Sequence, residues 1–122
     1  MAGSTIKILS IVLFLVLISQ GYSQCSLKDL TVNQFPTRNK VQGKQEWSVT
    51  INNKCPCVQK NVILNCKGFQ SVESIKPSLL KVLHNICLVN SGQAIYGIPI
   101  KFRYASDQPF PLNPISSEIS CS

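Results

Sequence analysis

Six cysteines constrain this chain more than any other feature, and what they mean depends on the segment before them. Residues 1–23 read MAGSTIKILSIVLFLVLISQGYS. One cation, Lys7, precedes an apolar run from Ile8 to Ile18, and small residues stand at Gly21 and Ser23. That is the layout of a secretory signal peptide. The run is too short to cross a bilayer, which needs ~20 apolar residues. Cleavage after Ser23 is expected. It leaves a single mature domain, residues 24–122, that is secreted and makes no membrane insertion. Neither a hydrophobic tail nor a retention signal follows.

All six cysteines, Cys25, Cys55, Cys57, Cys66, Cys87 and Cys121, fall in the mature part. An even count in a short secreted chain predicts three disulfides. A zinc site or a thioredoxin-like site wants two residues between paired cysteines. Here Pro56 alone separates Cys55 from Cys57, and His84 is the only histidine. Neither a metal nor a redox centre is therefore expected. Residues i and i+2 of an extended segment lie roughly 6.5–7 Å apart, at the edge of disulfide geometry. A Cys55–Cys57 bond is thus disfavoured, while the spacing leaves the remaining pairings open. Bridges at Cys25 and Cys121 would pin both mature ends to the body.

The stretch EWSVTIN, residues 46–52, alternates with period two: Trp47, Val49 and Ile51 on one side, Ser48, Thr50 and Asn52 on the other. This predicts a half-buried strand with Trp47 in the core. Further strands are expected through Leu30 and Val32, over Val58–Cys66, over Ile98–Tyr104 and over Ile115–Cys121. In the last but one, Phe102 and Tyr104 fall on the apolar side. Between Lys76 and Asn90 the pattern is mixed. A turn or short helix near Pro77–Leu80 is expected, then a strand ending near Val89. Residues 90–93 read as a turn, and residues 109–114, PFPLNP, as an irregular loop. Short strands punctuated by Gly, Asn and Pro predict an all-β fold, a small disulfide-braced β-sandwich.

Loss of Lys7 with the leader leaves 11 Lys and Arg against 5 Asp and Glu, a net +6. A basic surface favours an acidic protein face or an anionic polysaccharide. Lys54, Lys60, Lys67, Lys101 and Arg103 are the candidate contact residues. Nucleic acid is not an expected partner, because no basic motif with interleaved aromatics occurs. Asp29, Glu46, Glu73, Asp107 and Glu118 are scattered, His84 is alone, and no catalytic or phosphate-binding motif occurs. An enzyme and a bound cofactor are not expected. Nor is N-glycosylation, as the mature chain has no sequon.

The order of these pieces resembles a known family. It runs from Cys25 to WSVTINN, the clustered cysteines and VILNCKGF (62–69). It continues through Pro77, CLVNSG (87–92) and FRYA (102–105) to the terminal Cys121. Over essentially the whole mature chain this is similar to the tapetum determinant family of small secreted cysteine-rich plant proteins. The resemblance implies a secreted ligand of a leucine-rich-repeat receptor kinase, acting in the apoplast on cell fate in the anther. The tight C-P-C spacing and the lack of any dibasic pair mark a divergent member. Other classes that suit the residues are an extracellular wall carbohydrate-binding module, or a defence protein with PFPLNP as its exposed binding loop.

Overall fold

A computed structural model describes residues 25–121. The expected leader, residues 1–23, lies outside the described residues. Among the described residues, seven strands form two antiparallel sheets. β1 (Leu30–Val41), β2 (Lys44–Asn53) and β6 (Ile100–Ala105) make a three-stranded sheet in the order β1-β2-β6. β3 (Val58–Asn65), β4 (Leu80–Leu83), β5 (Ile86–Val89) and β7 (Asn113–Ser120) make the second, in the order β4-β5-β3-β7. Among the described residues the helical pieces are short 3-10 turns at Leu27–Asp29 and Asn90–Gly92.

The inner faces follow from the alternation. Val49 and Ile51 on β2, Val62 and Leu64 on β3, Val89 on β5, and Phe102 and Tyr104 on β6 meet in one buried core. Each such side chain is worth about 1.5–3 kcal/mol when fully removed from water. Trp47 is only half-buried; it packs against this core and donates from Nε1 to the Ser106 carbonyl at 3.1 Å. The PFPLNP stretch turns inward. Leu112 is buried, and Phe110 stacks with Phe69 and Tyr104 at centroid separations of 5.2 and 6.1 Å. Those side chains close the core and are not offered as a binding loop.

Several boundaries differ from the sequence reading for local reasons. β1 runs on past Pro36 because it is an edge strand, where a missing N–H is tolerated. Gln42 and Gly43 turn it into β2 with positive φ at both positions, the twist that suits a two-residue hairpin. The stretch near Pro77–Leu80 is a turn, in which Leu79 N–H donates to the Lys76 carbonyl at 2.9 Å. The single strand expected after it is a hairpin. β4 and β5 reverse at His84, whose φ is +59°, so His84 is an exposed turn residue. The strand expected from Ile98 begins at Ile100, and Ile98 is 79% exposed. A bulge at Asn61 lets both Gln59 and Val62 face inward. A Cβ on Gly92, at φ +80°, would lie 2.8 Å from Asn61 Oδ1, so only glycine closes that turn against the bulge.

The disulfides join Cys25 to Cys55, Cys57 to Cys121, and Cys66 to Cys87. The two cysteines of C-P-C thus hold one chain end each. The third bridge is buried and staples β3 to β5. Beside the first two lies a polar hub. Gln59, fully buried, donates from Nε2 to the Ser26 carbonyl and to Asn53 Oδ1, and accepts from Ser117 Oγ at 2.7 Å. Asn53 in turn donates to the carbonyls of Cys57 and Ile95. Replacing Gln59 with Leu strands these partners, at about 1–3 kcal/mol for each buried group left unsatisfied. Urea unfolding followed by Trp47 fluorescence should show a lower midpoint at unchanged slope. Replacing Cys66 and Cys87 together by Ala should cost about 2–5 kcal/mol in the same assay.

Candidate interaction surfaces

A strand sends alternate side chains to opposite sides, so each sheet has an outer face fixed by its register. On the four-stranded sheet, Lys81, Leu88 and Ile63 share one row, and Leu83, Ile86 and Asn65 the next. Leu83 and Ile86 are 42% and 36% exposed, and with Ile63 and Leu88 they form an apolar strip. Lys60 lies on the same face, 3.9 Å from Glu118. Lys67 is exposed just beyond the end of β3, beside the residue whose N–H donates to the Asn85 carbonyl in the hairpin turn.

On the three-stranded sheet, the outer rows are Asn33–Thr50–Lys101 and Phe35–Ser48–Arg103. Lys101 and Arg103 therefore stand side by side, on the opposite side of the sandwich from Lys60. Lys54 sits on neither face. It follows β2 in the loop to Cys55, and its N–H donates to the Asp29 carbonyl. The five candidate cations do not make one patch. Lys44, a further cation, is held by Asp107 at 2.6 Å.

An acid pair closes one end of the three-stranded outer face. Glu46, on β2, is only 4% exposed. The register shift in β1 between Pro36 and Lys40 brings Thr37 Oγ1 to 2.9 Å and Asn39 Nδ2 to 3.4 Å of its Oε1. Glu73 approaches from the loop between β3 and β4. That loop is strapped to the edge of β6: Val72 N–H donates to the Ala105 carbonyl, and Ala105 N–H donates to Ser71 Oγ. Glu73 Oε2 is buried with no ordinary donor. Two neighbouring carboxylates oppose each other's ionisation. Hydrogen bonds from Thr37, then from Glu73, hold Glu46 below the usual carboxylate range. Burial, then the contact with Glu46, pushes Glu73 up. Of the two, Glu73 is therefore the more readily protonated. Arg103, 3.9 Å from Glu46 Oε1, favours the ionised form of both.

Two further features are accounted for by the fold. A cleft of about 480 Å³ is walled by Phe69, Ile75, Pro77, Leu80 and Val82, with Glu73 and Lys81 on its lining. The sulfurs of Cys25, Cys55 and Cys57 lie within 4.8 Å of one another, but each is already in a disulfide and offers no thiolate to a metal.

Sequence reasoning named the cations but not Phe35, Gln59 or the Glu46–Glu73 contact. Phe35 was within reach: with Val32 inward, period two turns residue 35 outward. Nothing in the local sequence links Glu46 to Glu73.

The described residues thus form a small cysteine-rich, disulfide-braced sandwich with one apolar and one polar, cationic outer face. Residues 26–122 match the family described as Tapetum determinant 1, C-terminal, and the chain belongs to the tapetum determinant family. Neither a curated protein nor a solved structure matches it.

Glu73 and Glu46 pull stability in opposite directions with pH. A folded pKa raised above the ordinary 4.5 means that Glu73 contributes fully below 4.5, and that this is lost as pH rises through its folded value. The lowered pKa of Glu46 contributes above 4.5, and this is lost as pH falls through its folded value. The pair is thus best suited by mildly acidic conditions. Glu73→Gln supplies a permanent donor to Glu46. Thermal melts across the acidic-to-neutral range should show that this variant lacks the wild type's decline above pH 4.5.

Proposed function

We propose that this protein is a secreted signalling ligand that binds the ectodomain of a leucine-rich-repeat receptor kinase, and that it is not an enzyme. Family membership supports the class, with the tissue role implied by the family being cell fate in the anther. Three disulfides suit an oxidising extracellular compartment such as the apoplast. The observation that carries the reading is the outer face of the four-stranded sheet. Leu83, Ile86, Leu88 and Ile63 give it an apolar centre, with Lys60 and Lys67 at its margins. That is the anatomy of a protein interface: an apolar core with a polar rim. Of the five candidate cations, Lys60 and Lys67 belong to this contact, whereas Lys54, Lys101 and Arg103 lie off it. A scaffold braced by disulfides loses little freedom on binding, which favours affinity in a small ligand.

Binding of the mature chain to a panel of such ectodomains tests this. Leu83→Asp with Ile86→Asp should weaken binding at least about a hundredfold, as loss of an interface centre does. Lys60→Glu with Lys67→Glu should mainly slow association and reduce its salt dependence. Unchanged affinity in both variants, with folding intact by circular dichroism, would sink the assignment of this face.

A further inference from the structure

The outer face of β1-β2-β6 is of a different kind. Asn33, Thr50 and Ser48 are short hydrogen-bonding groups; Lys101 and Arg103 are cations; and Phe35 is a lone ring, 63% exposed, across Ser48 from Arg103 in the same row. No aliphatic side chain stands in these two rows. A protein partner gains affinity from a desolvated apolar centre, which one ring on a flat polar sheet does not supply. A sugar chain needs the reverse: many small polar groups for its hydroxyls and an aromatic face for the apolar side of a ring.

The charges narrow the class further. Lys101 and Arg103 occupy successive same-face positions, roughly 6.5–7 Å apart. The Arg103 side chain is 61% exposed although its NH1 lies 3.9 Å from Glu46 Oε1. Glu46, almost fully covered, steadies the guanidinium from beneath, and its remaining N–H groups stay open to a bidentate carboxylate. The charged groups around Arg103 are Lys101 in the next row, Glu46 on β2, and Glu73 and Lys76 on the loop after β3, which line a pocket with it. No carboxylate stands in the rows holding Phe35 and Lys101.

We propose that this face binds an acidic polysaccharide, a chain of uronate sugars crossing the strands from Phe35 to Arg103. Sugar carboxylates pair with Lys101 and Arg103, and one ring stacks on Phe35. The span is two strand spacings, about 10 Å. The site lies on the opposite side of the sandwich from the proposed receptor face, so wall retention and receptor binding do not exclude each other. Neither proposal rests on the other.

The test is binding of the folded mature chain to polygalacturonate. Fully methyl-esterified polygalacturonate and dextran sulfate serve as uncharged and generic polyanion controls. Saturable binding that salt weakens and esterification abolishes is expected. Lys101→Gln and Arg103→Gln should each weaken it about tenfold, the worth of one charged hydrogen bond. Phe35→Ala should weaken it several-fold without altering the salt slope, because stacking releases no counterions. Lys60→Glu with Lys67→Glu should leave it within about twofold, as both lie off the face. Wild-type binding by the Lys101 and Phe35 variants would overturn the proposal. So would equal binding to dextran sulfate that ignores Phe35, which would be plain polyanion attraction. Loss of receptor binding in the Lys101 and Arg103 variants would also overturn it, by assigning the face to the receptor instead.

Discussion

The structure depends on how Gln59 is satisfied. A buried amide is costly unless its donors and its acceptor are used, and here they are used across the whole fold. Through Ser26, Asn53 and Ser117, Gln59 ties together the chain start, the end of β2 and the last strand. Asn53 extends the same network to the Cys57 and Ile95 carbonyls. Two disulfides sit against this hub and fasten the same segments covalently. The hub orients the segments, and the bridges reduce the freedom they regain on unfolding. A domain of this size buries only a thin core, so the hub and the bridges add to what holds it together.

With the body held rigid, the outer faces are free to serve recognition. Their contrast is physical. The four-stranded face presents aliphatic side chains that gain by excluding water, and suits another protein. The three-stranded face presents polar groups and charges already held in place, and suits a ligand with hydroxyls and carboxylates. Opposite placement on a sandwich keeps the two surfaces apart.

The Glu46–Glu73 pair adds a condition to that arrangement. Glu73 reaches Glu46 from the loop after β3, which Val72 and Ser71 strap to the edge of β6 near Arg103. The orientation of Arg103 and the anchoring of the loop therefore draw on the same carboxylate. An extracellular space on the acidic side of neutrality is where this pair is most stable.

By itself the sequence determined the class of fold and its covalent logic. The alternation of Val49 and Ile51, and of Phe102 and Tyr104, is a local property of a pleated strand, and so it could be read directly. The compartment and the even cysteine count led to disulfides, and the C-P-C geometry argued against a bond within the motif. Only the tertiary structure decided the rest, because the rest depends on contacts between distant residues. Which cysteine meets which, whether Lys60 and Lys101 share a face, and whether Glu46 meets Glu73 are set by sheet order and packing. Nothing in the local sequence marks Gln59 as buried; Ser26, Asn53 and Ser117 converge on it only in the fold. His84 reads as part of a longer strand, and it is a turn because β4 and β5 pair with each other. Period two assigns a residue to a side of its own strand; it does not say which strand lies beside it, and the functional surfaces are made of those neighbours.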